Sequence, residues 1–183
     1  MKIVICPSVS IVIPVYNVAP YLERCLQSVI QQTHPATECI IVDDASTDDS
    51  VARCERLLNK YTGTTQFVIV HHHHNRGLSA ARNTGTNLAT SDYIYYLDGD
   101  DEITPDCIEK LVAPTVHDDT IEMVMGAHRV NSSMKHFLGR WYTTQRTCFI
   151  KDMPTELQTN EEVYRWYYNE VRPVCVWNKL LKL

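Results

Sequence analysis

Residues Ser8–Ile30 read "SVSIVIPVYNVAPYLERCLQSVI", and the fold turns on this stretch. From Val9 to Val15 the chain is apolar at nearly every position. A strand with one wet face alternates apolar and polar residues, whereas a near-continuous apolar run suits a strand covered on both faces. Pro20 then stands where a helix opens, and Leu22, Cys25, Leu26, Val29 and Ile30 recur at helical spacing until His34-Pro35 ends the run.

The same alternation continues outward. "ECIIVDD" (38–44) predicts a second buried strand. "ASTDDSVARCERLLNKY" (45–61) offers hydroxyls for an N-cap, acids for the first turn and basic residues later, as a helix dipole prefers. "QFVIVHH" (66–72) predicts a third strand, and "SAARNTGTNLA" (79–89) a helix of small residues able to approach a sheet closely. "DYIYYLD" (92–98) predicts a fourth strand. Thr104-Pro105 caps a helix through Ile108, Leu111 and Val112, and "IEMVMGA" (121–127) predicts a fifth strand. This order predicts an α/β domain with a mostly parallel central sheet and helices on both faces. From His128 onward the pattern weakens, and "HRVNSSMKHFLGRWYTTQRTCF" is polar, aromatic and unassigned.

Bulk composition narrows the functional classes. The 183 residues are 44% hydrophobic and 21% charged, which fits one soluble domain with a real core. The formal charge of -5, with scattered Lys and Arg, argues against a nucleic-acid partner. No apolar run is long enough to span a bilayer. The start is read as structure rather than a signal peptide, because Pro7 interrupts it and no small-residue cleavage site follows. Seven cysteines, widely spaced and never C-x-x-C, read as reduced thiols packed as small hydrophobes.

In a parallel sheet the carboxyl ends of the strands share one edge, and ligands bind beyond it. That edge collects Pro14-Val15-Tyr16-Asn17, Asp43-Asp44, His71–His74 with Asn75-Arg76-Gly77, and Asp98-Gly99-Asp100-Asp101. An aromatic ring beside an acid suits a nucleobase, and a paired-acid turn suits a hard divalent cation that also holds phosphate oxygens. A dinucleotide site would need G-x-G-x-x-G after the first strand, and "PVYNVAP" has no glycine. An EF-hand loop from Asp98 through Asp100 and Glu102 to Glu109 would carry Ile103 at the glycine position and Pro105 inside it. A nucleotidyltransferase would need a glycine-rich, basic loop at "PVYNVAP", which lacks both. The bland reading is a solvated acidic turn, and it leaves the tyrosine and acids at the other strand ends unexplained. A run of four histidines alternates faces, so His71–His74 read as strand end and loop rather than metal ligands.

"VSIVIPVYNVAPYLERCLQSVIQQT", "ECIIVDDASTDDS", "NRGLSAARNTG" and "YIYYLDGDD" together resemble glycosyltransferase family 2, with its GT-A fold, over Val9 to Val124. The resemblance implies transfer of a sugar from a nucleotide-sugar, with a UDP-sugar the expected donor, and inversion at the anomeric carbon. It implies that Pro14, Tyr16 and Asn17 pack the base and that Asp44 reads a uracil N–H. It also implies that Asp98 lies towards the ribose, that Asp100 sits on Mn2+ or Mg2+, and that Arg76 and Arg82 lie near the diphosphate. The acceptor would be a glycan or lipid-linked, the pathway surface polysaccharide or glycolipid synthesis, and the place the cytoplasm, at the inner face of the membrane.

The family's general base falls after the D-x-D motif on the acceptor side. "PVCVWNKLLKL" resembles the W-x-K-L stretch that comes just before it, and the chain stops at Leu183. The expectation is therefore a single domain over 1–183, with a nucleotide-sugar half (1–127) and the start of an acceptor half (128–183), truncated before its base. Within the chain, Glu161, Glu162 and Glu170 are the weaker candidates, better explained as a solvated helix face with Val163, Trp166 and Tyr167 as its apolar partners. The non-enzyme alternative is a nucleotide-sugar-binding module that lacks catalysis. Trp141, Tyr142, Trp166 and Trp177 could line an acceptor groove, though core packing accounts for most of them. "NKLLKL" could touch a membrane surface, and a truncated helix is the simpler expectation.

Overall fold

The computed structural model describes residues 6–126, 128–135, 141–148 and 179–183. Two compact units emerge, Met1–Val124 with Lys179–Leu183, and Met125–Asn178.

The first unit follows the predicted alternation. In chain order it runs β1 (Val9–Val15), α1 (Ala19–Ile30), β2 (Glu38–Asp43), α2 (Ser50–Leu58), β3 (Gln66–His71), α3 (Leu78–Leu88), β4 (Tyr93–Tyr96) and α4 (Cys107–Val112). The short β5 (Met123–Met125) and the C-terminal β8 (Lys179–Lys182) follow. The six-stranded sheet has the order β3-β2-β1-β4-β8-β5. Strands β3, β2, β1 and β4 are parallel, and β8 pairs antiparallel with β4.

Both faces of the sheet are covered, which is why β1 and β2 carry so few polar residues. Val9, Ile11, Ile13 and Val15 share one core with Cys39 and Ile41 of β2, Leu22, Leu26 and Val29 of α1, Cys54 of α2 and Ile108 of α4. Val12, Ile40 and Val42 point the other way, against Ala81 of α3. This is the period-two alternation of a strand buried twice. The small-residue helix does approach closely: a Cβ on Gly85 would lie 2.3 Å from Val12 Cγ1. Cys25, Cys39 and Cys54 pack in the core as small apolar side chains.

Pro14 sits in a central strand, where a missing N–H normally breaks a ladder. Val15 O accepts from Asp44 N on the β2 side and Val12 O from Leu97 N on the β4 side. Alternation therefore turns Pro14 towards β4, whose pairing with β1 has ended at Val12–Tyr96.

Several local expectations are corrected. "NKLLKL" is not a helix: Lys179–Lys182 form β8, and Leu180 is fully buried beside β4. Apolar Leu180 and Leu181 can alternate across a sheet as readily as along a helix, and four residues cannot distinguish the two. α1 ends at Ile30, before His34-Pro35. Asp48 and Asp49 precede α2 instead of filling its first turn, and the N-cap residue Asp49 makes no capping hydrogen bond. α4 begins at Cys107, two residues beyond Thr104-Pro105, with Thr104 donating to Asp106.

In the second unit, β6 (His128–Lys135) and β7 (Trp141–Cys148) form an antiparallel hairpin with His128 opposite Cys148 and Lys135 opposite Trp141. Trp141 and Tyr142 therefore lie in β7, while Trp166 and Trp177 lie outside the described residues, as do Glu161, Glu162 and Glu170.

Candidate functional site

Register brings the strand ends together. Val15 pairs with Asp43, and Asp43 pairs with His71. The chain leaves β1 through Tyr16 and Asn17, and leaves β4 through Leu97 to Asp98. Pro14 O lies 3.2 Å from where a Cβ on Gly99 would stand, so the ends of β1 and β4 meet closely.

Asn17 adopts a positive φ of 52° and pins two loops. Its Oδ1 accepts from Thr47 N (2.8 Å) and Asp48 N (3.3 Å), and its own amide donates to Ser46 Oγ. A residue expected at the base thus also orders the β1–α1 turn against the β2–α2 turn. Tyr16 beside it is 47% exposed, a large aromatic left open to solvent.

Asp44 is almost fully enclosed. Its Oδ1 accepts from His72 Nδ1 at 2.6 Å and from Arg76 N at 2.9 Å, and Oδ2 accepts from Gly77 N at 2.7 Å. Gly77, at φ 86°, is the N-cap of α3, so the carboxylate also sits at a helix N-terminus that favours negative charge. Burial by itself would raise the Asp44 pKa. The His72 hydrogen bond and the two amides outweigh it and hold the carboxyl below its ordinary value. Arg76 contributes its amide here while the residue itself is exposed.

The acidic turn has one cationic partner among the described residues. Arg82 Nη2 of α3 donates to Asp98 Oδ1, and Arg82 Nε is a buried donor with no partner there. Asp98 O accepts a long contact from Cys25 Sγ (3.6 Å), which ties the turn to α1. Asp100 and Asp101 are exposed. Although Asp101 is exposed, loss of part of its hydration against the protein, then the neighbouring Asp100 and Asp98 carboxylates, push its pKa up. Such crowding of like charges is what a bound cation relieves.

Tyr16, Asp44, Arg82 and Asp98–Asp101 therefore stand at the carboxyl ends of neighbouring parallel strands. The profile of glycosyl transferase family 2 matches residues 10–169. The chain belongs to that family. Among curated relatives, the uncharacterized glycosyltransferase EpsJ of Bacillus subtilis is 30% identical over 162 residues, covering 88% of this chain and 46% of that protein. Glycosyltransferase GlyG of Streptococcus pneumoniae is 26% identical over 174 residues, covering 95% and 56%. This family-2 chain thus spans about half the length of these relatives.

The fold is that of GT-A glycosyltransferases. The mannosyltransferase PcManGT of Pyrobaculum calidifontis, solved with GDP-Man and Mn2+, superposes with a TM-score of 0.60 at 28% identity, over 65% of this chain and 35% of that one. S. aureus TarS 1-349, solved with UDP, gives 0.57 at 24% identity, over 64% and 34%.

The sequence reading missed His72. His71 and His72 follow Asp43 and Asp44 at the same separation, so a parallel β2–β3 register would have paired both.

Proposed function

We propose that this chain carries the donor site of a metal-dependent inverting glycosyltransferase that takes a sugar from a UDP-sugar to a glycan or lipid-linked acceptor in surface polysaccharide synthesis at the inner face of the membrane. The observation that carries the reading is the meeting of an exposed Tyr16, an ordered Asp44 and the Asp98–Asp101 turn at one sheet edge.

In this reading the Tyr16 ring stacks on the base, with Pro14 and Asn17 holding the turn that presents it. Asp44 accepts a base N–H, and Asp98 faces the ribose. Arg76 and Arg82 lie near the diphosphate, and their positive charge opposes the negative charge that grows on the leaving group.

The acidic turn fits a divalent ion by chemistry. Its donors are carboxylate oxygens, the hard ligands Mg2+ and Mn2+ prefer. Among the described residues no group of three or more His, Cys, Asp or Glu could hold a metal unaided. That suits an ion held by one or two carboxylates and completed by phosphate oxygens. Asp100 is the residue assigned to hold it, and once bound it would neutralise charge on the diphosphate. The support from elsewhere is the GDP-Man and Mn2+ in the PcManGT structure.

A thermal-shift panel of UDP-, GDP- and dTDP-sugars, with and without Mn2+, tests the site, because a ligand that binds only the folded state raises its melting temperature. A rise with a UDP-sugar and Mn2+ is expected, and silence across the panel would remove the donor site. A product assay then separates an enzyme from a binding module without catalysis.

A further inference from the structure

Asp44 is one member of a buried chain. His72 Nδ1 lies 2.6 Å from Asp44 Oδ1, and His72 Nε2 lies 2.9 Å from Thr84 Oγ1 on α3. The His72 and Asp44 side chains are 5% and 4% exposed. The pair just before it, Asp43 and His71, is spaced at 3.1 Å, but its histidine is half in solvent. Alternation along β2 and β3 explains the difference: Asp44 follows Val42 on the face covered by α3.

The carboxylate fixes the role of one ring atom. An ionised carboxylate only accepts, so His72 Nδ1 carries a proton. Thr84 Oγ1, a hydroxyl able to donate or accept, meets the ring at Nε2. The ring is held at both ends. A carboxylate offers about four lone-pair sites. His72 and the Arg76 amide take those of Oδ1, and the Gly77 amide takes one on Oδ2. One acceptor site remains, on Oδ2.

Resting on the donor-site reading above, we propose that His72, braced by Thr84, is a positioning residue for base recognition. It fixes the Asp44 carboxylate so that the remaining Oδ2 site meets a nucleobase N–H. Without His72, Oδ1 loses its side-chain partner and the carboxylate can rotate away from the base.

The test is calorimetric titration, with Mn2+ present, of UDP and of N3-methyl-UDP, which lacks the base N–H. The wild-type chain binds UDP about tenfold more tightly than the methylated analogue. His72→Phe brings that ratio close to one while leaving the affinity for N3-methyl-UDP within about twofold, an outcome that general loosening of the fold does not produce. His72→Asn, which returns an amide N–H near the Nδ1 position, restores most of the preference. Thr84→Val lowers the ratio about threefold, and it decides the matter should His72→Phe fail to fold. A wild-type ratio in His72→Phe, or in Thr84→Val in that case, overturns the proposal and leaves the donor site standing. A wild-type chain that binds neither ligand, or both equally, overturns the base-reading role of Asp44 and this inference with it.

Discussion

Arg82 Nη2 lies 2.5 Å from Asp98 Oδ1, with the two side chains only 16% and 23% exposed. This contact locks α3 to the acidic turn across the sheet edge. A cation here offsets part of the repulsion within Asp98–Asp101 and helps to order the turn.

Replacing Arg82 with Met removes the charge and keeps the aliphatic length. A hydrogen bond to a charged group contributes about 2 kcal/mol. The variant should therefore lose about that much stability in urea unfolding and bind UDP with Mn2+ more weakly. Unchanged midpoint and affinity would mean that the contact is incidental.

Asp100 carries the metal assignment. Asp100→Asn should abolish most of the Mn2+-dependent part of UDP binding, a loss of at least about tenfold, with little change in stability because the residue is exposed. Asp106→Asn, in an exposed Lys110 pair five residues beyond Asp101, serves as the control. Equal losses in the two variants would point to bulk charge rather than ligation.

Two glycines report on close packing. A Cβ at Gly85 would overlap buried Val12, so Gly85→Ala should cost about 1–3 kcal/mol through overpacking. At Gly99 a Cβ would stand 3.1 Å from Val18 Cγ2 and 3.2 Å from Pro14 O. Gly99→Ala should therefore disturb the acidic turn, lowering donor affinity more than it lowers stability. Paired thermal and binding measurements separate the two effects.

Asp48 joins the starts of α1 and α2 by accepting from Ala19 N, Ser50 N and Ser50 Oγ. Burial would raise its pKa, but these bonds prevail and lower it. A carboxyl with a depressed folded-state pKa contributes stability that is fully present above its unfolded value of about 4. That contribution is lost as pH falls through the folded value. Melting temperature against pH should accordingly fall less steeply below pH of about 4 in Asp48→Asn than in wild type. Parallel curves would remove Asp48 from the acid sensitivity.

β8 completes the sheet through a fully buried Leu180. Leu180→Ala should cost about 2–5 kcal/mol, as for other large-to-small core changes. Leu183→Ala, at an exposed position, should change little. An unaffected Leu180→Ala protein would argue against β8 lying in the sheet.

The apolar runs at Val9–Val15 and Glu38–Asp43 gave away two buried strands because a doubly covered strand tolerates almost no polar side chain. The edge position of β3 was hidden, since "QFVIVH" looks as apolar as its neighbours although none of its residues is fully buried. β8 was hidden for a different reason: its partner β4 lies more than eighty residues earlier, and pairing at that distance leaves no local signal.

By itself the sequence determined the order of strands and helices from β1 to β5, the crowding of acids after β4 and the family, because periodicity and short motifs are local properties of a chain. Only the tertiary structure decided that Asp44 would be held by His72 and Gly77, that Arg82 would reach Asp98, and that the last residues would return as a strand. Those contacts depend on register and on how closely α3 seats against the sheet, and both are set by packing between segments distant in the chain.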